Sequence, residues 1–214
     1  MGKRMNNKTK ARVLRWIGVA LGTILISLTG ATGANADYVE GTNYSGARWY
    51  SRSICVEDRT PSSHYRVRVA VQDWSVNTTL SVWHKYGAYK CKDWRQQIIV
   101  TARNEGRYAV CLPGDKPTAW VGCVQNRKVH WGQTPAGSWT YLWDGPLIIR
   151  LNTYYSYHTS ADWDHIITHE LGHAFGLGHV TWSCNSVMSV KSGCTWREQT
   201  TYYDRKWINV IYAQ

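Results

Sequence analysis

The stretch from residue 169 to residue 179, HELGHAFGLGH, constrains this chain of 214 residues more than any other. On a helix, side chains four residues apart lie on one face, so His169 and His173 can direct ring nitrogens to a common point. Glycine tolerates the positive φ of a helix C-terminal turn, so Gly176 lets the chain double back and bring in His179. The pattern therefore predicts a helix, a tight turn and three converging imidazoles.

Three imidazoles in this arrangement are typical of a catalytic zinc ion, because they leave its fourth coordination position open. Glu170 is placed to act as general base on a water molecule beside the ion. The shorter His-Glu-x-x-His pattern also occurs on charged surface helices, but the five fixed positions here should coincide by chance in roughly one chain in 10⁵. The sequence thus predicts His169, His173 and His179 as zinc ligands and Glu170 as the catalytic residue.

A second half of the pattern follows in the sequence NSVMS, residues 185–189. A long histidine motif followed by a methionine resembles the metzincin zinc metallopeptidases, and among them small secreted bacterial matrixin-like proteases. The resemblance implies that Met188 forms an apolar floor under the ligand imidazoles without binding the ion. Val190 stands where some metzincins carry a tyrosine, so a tyrosine ligand is not expected.

The resemblance also implies the fold class: an α+β zincin-like catalytic domain, in which a twisted mixed sheet packs on the active-site helix, followed by a Met-turn and a C-terminal helix. Apolar runs and alternating patterns bounded by turn formers predict the strands. A Thr-x-x-Asp cap predicts that the zinc helix begins near Ala161, with Ile166, Ile167, Ala174 and Phe175 on its buried face. The predicted strands are residues 53–57, 79–83, 97–102, 118–124 and 147–152, and a final helix over residues 204–212 is expected to turn Trp207, Ile208 and Ile211 inward.

Residues 65–74 fit two patterns. Helical spacing places Val67, Ala70, Val71 and Trp74 on one face, whereas Tyr65, Val67, Val69 and Val71 alternate as in a half-buried strand. The resemblance favours the helix.

The family's substrates lie extended along the exposed edge strand that precedes the zinc helix, paired to it through main-chain bonds. Residues 118–124 are the first candidate for that strand, and residues 138–143 are the second.

The N-terminus predicts export. Residues 1–15 carry six basic side chains and no acidic one, and an apolar stretch over residues 16–28 leads to Ala34-Asn35-Ala36. This pattern indicates a secretory signal peptide over residues 1–36, followed by a single catalytic domain over residues 37–214. An uncleaved membrane anchor is the alternative, but the strongly apolar core is short of a full span. The expected product is secreted, extracellular and monomeric, with no membrane association after cleavage.

All six cysteines lie beyond residue 36. An even number in an exported chain indicates disulfides, although six cysteines allow fifteen pairings. Short loops suggest Cys111 with Cys123 and Cys184 with Cys194, which leaves Cys55 with Cys91. A bridge between Cys184 and Cys194 would clasp the segment that contains Met188.

The charge pattern argues against nucleic-acid binding. Without the six basic residues of the leader, 19 of the 25 remain against 14 acidic residues, a net charge of +5, and no Lys/Arg cluster stands out. Proteins or peptides are the expected substrates. Calcium is possible in such a chain, but no calcium-loop pattern is visible.

The chain contains 13 Trp and 14 Tyr but one Phe. Most of these rings are expected in the core, because they are scattered rather than set in a stripe. The alternative function is a secreted carbohydrate or cell-wall binding module with a non-catalytic zinc site. His165 is expected to be partly exposed beside Asp162 or Asp164 and not to bind zinc, and no role is assigned to His64, His84, His130 and His158.

Overall fold

One strand and one α-helix, then six strands, then two α-helices follow one another along the part of the chain that the structure describes, which comprises residues 47–155, 157–190, 194 and 197–213 of a computed structural model. Three short 3-10 helices, Ser63–Tyr65, Trp94–Gln96 and Thr153–Tyr155, join some of these elements. The main elements are β1 (Ser53–Asp58), α1 (Val67–Ser75), β2 (Ser81–Tyr86), β3 (Gln97–Arg103), β4 (Gly122–Gln125), β5 (Val129–Gln133), β6 (Trp139–Trp143), β7 (Leu147–Asn152), α2 (Ser160–Ala174) and α3 (Tyr202–Tyr212).

Five strands form one sheet in the order β2-β1-β3-β7-β4. The first four are parallel, and β4 pairs antiparallel with β7. Parallel strands are usually covered on both faces, so their sequences are apolar runs, and the central strands β3 and β7 follow this rule. Their completely buried residues are Ile98, Val100, Leu147, Ile149 and Leu151. The predicted class, a mixed sheet packed with helices, is therefore observed at the level of a mixed α/β architecture.

Residues 67–75 are a helix, so the helical interpretation of this segment is correct. Val67, Ala70, Val71 and Trp74 form its buried face. The indole Nε1 of Trp74 donates to the carbonyl oxygen of Thr168 at 2.9 Å, which ties α1 to α2. A left-handed Arg66, with φ of 51°, separates this helix from the 3-10 turn that contains Tyr65.

The strand predictions hold best where the apolar runs are longest. The segments predicted at residues 53–57, 97–102 and 147–152 correspond to β1, β3 and β7. The prediction for residues 79–83 is displaced, since β2 begins at Ser81. The prediction for residues 118–124 is wrong in its first half, because Thr118 exchanges main-chain hydrogen bonds with Ala109 and β4 begins only at Gly122.

Strand β6, within residues 138–143, does not belong to the five-stranded sheet. It pairs with β5 in a separate two-stranded sheet. Its other edge is used by Arg48, whose N–H donates to Tyr141 and whose carbonyl accepts from Trp143. The second candidate for a substrate-binding edge is therefore wrong.

The three disulfides join Cys55 to Cys91, Cys111 to Cys123 and Cys184 to Cys194. The suggested pairing is confirmed in all three cases.

None of the helices in the described ranges has both the length and the apolar content needed to cross a bilayer. The predicted signal peptide at residues 1–36 lies outside the described residues.

Candidate metal centre

Helix α2 carries the first two histidines and begins with a strong N-terminal cap. The Thr159 hydroxyl accepts from the Asp162 N–H, and the Asp162 carboxylate accepts from the Thr159 N–H at 2.7 Å. This is the capping box that the sequence predicts, one residue ahead of the expected start. The predicted buried face is correct, because Ile167, Ala174 and Phe175 are fully buried and Ile166 is 6% exposed.

The helix ends at Ala174, and the chain then reverses at Gly176, whose φ is +104°. The Gly176 N–H donates to His173 and the Leu177 N–H to Gly172, the two bonds of a tight helix-terminating turn. A β-carbon at Gly176 would also come within 2.5 Å of the Ala47 carbonyl oxygen. This turn brings His179 back toward the helix, as predicted.

The Nε2 atoms of the three histidines converge. Those of His173 and His179 lie 3.0 Å apart, and those of His179 and His169 lie 3.2 Å apart. Ligand atoms about 2.0–2.1 Å from one tetrahedral ion would lie roughly 3.3 Å apart, so the observed spacing suits a single zinc ion. His169, His173 and His179 are thus a group that could hold a metal.

Carbonyl oxygens behind the imidazoles fix which ring nitrogen carries hydrogen. His169 Nδ1 donates to Val187 at 2.9 Å, and His173 Nδ1 donates to Leu177 at 2.8 Å. The Nε2 lone pairs are consequently free to face the common point. Burial lowers the pKa of His169 to about 3 and that of His173 well below its usual value, and it also lowers the pKa of His179. Neutral imidazoles are the form that binds metal.

Glu170 lies beside this group in a buried position, 8% exposed. Desolvation raises the pKa of its carboxyl to about 7, and the positive charge of Arg127 opposes that rise. Arg127 is held by its Nε, which donates to the Val124 carbonyl oxygen at 2.8 Å. Arg127 was not singled out from the sequence, because its proximity to Glu170 depends on how β4 packs against α2.

Met188 packs against the turn of α2 that contains Gly172, and it is 1% exposed. The space for it exists because residue 172 is glycine: a β-carbon there would overlap the Met188 Sδ atom and lie 3.1 Å from the Trp74 ring. The glycine inside the HELGH sequence is the signal in the sequence that could have indicated this close approach.

Asp204 connects the C-terminal helix to the turn that carries Met188. Its carboxylate, 2% exposed, accepts from the Ser186 hydroxyl and from the Val187 N–H at 3.0 Å, and it also caps α3 through Thr201. Because the Val187 carbonyl orients His169, Asp204 acts on the first histidine through two main-chain groups. The predicted helix start at Asp204 is displaced, because the helix begins at Tyr202.

Strand β4 is the edge of the sheet nearest to Glu170. The Asn152 N–H donates to the Val121 carbonyl, so the peptide groups of residues 121, 123 and 125 face β7 and those of Gly122 and Val124 face outward. A β-carbon at Gly122 would lie 2.7 Å from the Cγ and Oε1 atoms of Glu170. This outward edge therefore passes directly over the carboxylate.

His165 departs from expectation, because it is buried rather than partly exposed. It is 9% exposed, and its Nδ1 meets the Arg197 carbonyl oxygen at 2.6 Å. The segment around Arg197 covers this turn of α2, which sequence spacing could not indicate. His165 lies outside the group of three histidines.

The fold and the site together define a mixed α/β domain with a three-histidine centre suited to a metal ion. No family model matches the sequence, and no curated protein matches it either. Two solved structures of myroilysin are similar to this chain, at 12% identity and with TM-scores of 0.44 and 0.45. Each alignment covers 86% of this chain, and the two cover 97% and 90% of the respective myroilysin chains. A zinc-dependent peptidase from Methanocorpusculum labreanum is similar at 16% identity and a TM-score of 0.38, over 73% of this chain and 100% of that one.

Proposed function

We propose that this chain is a secreted zinc-dependent endopeptidase of the metzincin type, with His169, His173 and His179 as the zinc ligands and Glu170 as the general base. The observation that carries the proposal is the convergence of three neutral Nε2 atoms beside one buried carboxylate. Three protein ligands leave an ion with an open position, which is the arrangement of catalytic rather than structural zinc.

Zinc, when bound, supplies Lewis-acid polarisation of the peptide carbonyl and makes a nearby water molecule easier to deprotonate. Glu170 takes the proton from the attacking water and later delivers it to the departing amine nitrogen. Burial raises the pKa of this carboxyl above its usual range, which favours a group that both accepts and releases a proton. Val187 and Leu177 hold two of the imidazoles in the required tautomer through their carbonyl oxygens.

Substrate is proposed to bind in extended form along β4. The N–H and carbonyl groups of Gly122, which point away from β7, offer main-chain hydrogen bonds to a peptide, as in β-strand addition. Since Gly122 lies against Glu170, a peptide paired there would pass its backbone over the carboxylate. Recognition through the main chain suits an enzyme that cleaves within polypeptides.

Export remains part of the proposal. Three disulfides in a domain of this size are typical of proteins that fold in an oxidising compartment. The signal peptide over residues 1–36, the monomeric state and the apolar-floor role of Met188 are proposed on the sequence features given above.

The test is hydrolysis of casein and of a quenched fluorescent peptide by the purified protein. We expect activity that is lost with 1,10-phenanthroline and restored by zinc. Glu170→Gln should keep a stoichiometric zinc ion, measured by elemental analysis, while kcat falls by roughly 10²-fold or more. Glu105→Gln, which alters a carboxylate outside the site, is the matched control. Full activity in Glu170→Gln would overturn the assignment of the base, and a metal-free, active wild-type protein would overturn the whole proposal.

A further inference from the structure

The two-stranded sheet of β5 and β6 exposes three aromatic side chains on one face, and we call Trp131, Trp139 and Tyr141 the aromatic platform. Trp131 is directly opposite Tyr141 in the register, and Trp139 is opposite Gln133 on the same face. The exposed fractions are 57% for Trp131, 59% for Trp139 and 41% for Tyr141. A contiguous apolar patch formed by several exposed rings is often functional.

The rings form one ordered arrangement. The planes of Trp131 and Trp139 are nearly parallel, at 16°, with centres 6.4 Å apart. Tyr141 meets Trp131 edge-on at 5.0 Å. Neither indole covers the other, because more than half of each side chain remains exposed. Cross-strand ring contacts hold the platform in shape before any ligand binds, which lowers the entropy lost on binding.

The platform also carries unused polar groups and no charge. Within the described ranges, no hydrogen bond is made by the indole N–H of Trp131, the indole N–H of Trp139 or the hydroxyl of Tyr141. The remaining residues of this face are Val129, Gln133 and the buried Trp143. A ligand for this surface should therefore have a flat apolar face, a polar rim and no formal charge.

We propose that the aromatic platform binds a polymer of uncharged pyranose sugars. A pyranose ring presents C–H bonds on its face and hydroxyl groups around its rim, which complements rings whose edges carry N–H and O–H groups. A repeating chain can contact more than one of these rings at a time.

The surface is small and uncharged, which argues against other macromolecules. Each aromatic side chain has an area of roughly 150–250 Å², and about half of each is exposed, so the exposed area of the platform is at most about 400 Å². A stable protein interface buries roughly 800 Å² on each partner. Single-stranded nucleic acid also stacks on aromatic rings, but it needs cationic side chains for its phosphates, and this face has none. Such a glycan site would concentrate the proposed peptidase on proteins held in a polysaccharide matrix, and only that consequence rests on the proposed function.

The test uses the full-length protein with two insoluble polymers, microcrystalline cellulose and chitin, and with soluble cellohexaose followed by tryptophan fluorescence. We expect retention on at least one polymer and a loss of about tenfold or more in affinity for Trp131→Ala/Trp139→Ala, since each ring contact contributes substantially. Trp83→Ala is the matched control, because Trp83 is 56% exposed on β2, away from the platform strands. Trp139→Phe, which keeps a ring, should retain most of the binding that Trp139→Ala loses.

Cleavage of a soluble peptide is measured on the same samples, so the two proposals fail separately. The platform variants should keep wild-type peptide cleavage and thermal stability. Equal retention of wild type and the double variant, or no retention on either polymer and no response to cellohexaose, would overturn the glycan site. Platform-dependent binding to oligo-dT, to lipid vesicles or to a second copy of the chain in place of the sugars would overturn it equally.

Discussion

The backbone of Gly172 lies directly against the Sδ atom of Met188, so that a β-carbon at position 172 would overlap the sulphur. This contact brings the methionine under the helix turn between His169 and His173. Any side chain at position 172 would have to displace Met188 or the helix. The position of Met188 is therefore coupled to the histidine motif, which precedes it in the sequence.

Gly172→Ala should destabilise the protein although alanine favours helices. The overlap costs about 1–3 kcal/mol, more than the gain of about 1 kcal/mol in helix propensity. The measurement is the free energy of unfolding from urea titration, together with zinc affinity. Met188→Ala opens a cavity that accepts the new methyl group, so Gly172→Ala/Met188→Ala should be less destabilised than the sum of the two single changes. Strict additivity would show that the two residues do not press on each other.

Gly122→Ala should impair catalysis more than folding. The new β-carbon would lie 2.7 Å from the Glu170 Cγ and Oε1 atoms and 2.9 Å from Ile166 Cγ2, so the carboxylate has to move. A displacement of about 1 Å in a catalytic group can lower kcat by about 10²-fold. Steady-state kinetics and zinc content are the measurements. Gly132→Ala is the control for crowding on a strand, because a β-carbon at Gly132 on β5 would lie 2.8 Å from Leu142 Cδ1. This change should leave kcat unchanged. A wild-type kcat in Gly122→Ala would refute the contact.

Removing the Cys184–Cys194 disulfide should loosen the turn around Met188 first. The bridge joins two cysteines with a sequence separation of 10, and the loop between them contains Val187, whose carbonyl orients His169. The double change Cys184→Ser/Cys194→Ser is expected to lower stability by about 2–5 kcal/mol and to weaken zinc binding. Cys55→Ser/Cys91→Ser, a bridge far along the chain from the metal motif, should lower stability without a comparable loss of zinc affinity. Equal effects on zinc from both pairs would contradict this assignment.

Asp164 should make stability fall as pH rises through the mildly acidic range. It is 2% exposed, and desolvation raises its pKa from 3.8 to about 6, with Arg66 opposing and Glu198 and Asp73 adding to the rise. A pKa raised on folding means that the folded state binds the proton more tightly, so this contribution is complete below about pH 4 and is lost by about pH 6. Asp164→Asn has no such titration. As the pH rises from about 4 to about 6, the Tm of the wild type should therefore fall relative to the Tm of Asp164→Asn.

Asp162→Asn provides a control of opposite sign. Its hydrogen bonds with Thr159 lower the pKa of the Asp162 carboxyl, so its stabilising contribution is present above about pH 4 and is lost on acidification. Thermal unfolding from about pH 2 to about pH 7 measures both variants. Parallel curves for wild type and Asp164→Asn would show that Asp164 titrates as an exposed aspartate does.

Features that depend only on residues close together in the sequence could be predicted from the sequence. The helix through His169 and His173, its Thr159–Asp162 cap and the reversal at Gly176 follow from spacing and local main-chain preferences, which the rest of the fold does not override. The buried strands at residues 97–103 and 147–152 are long apolar runs, and two of the three disulfides follow from short loops, which leaves the third pairing. In each case the signal lies within a few turns of chain.

Only the tertiary structure decided which separate segments meet at the site. Gly122 lies against Glu170, and the burial of that carboxyl raises its pKa. Asp204 is linked to His169 through Val187, and His165 is buried against the Arg197 carbonyl. Each of these contacts joins residues that are far apart in the sequence. The gathering of Trp131, Trp139 and Tyr141 on one face depends on the register of β5 with β6. Desolvation and strand register are properties of the packed molecule, and no local pattern encodes them.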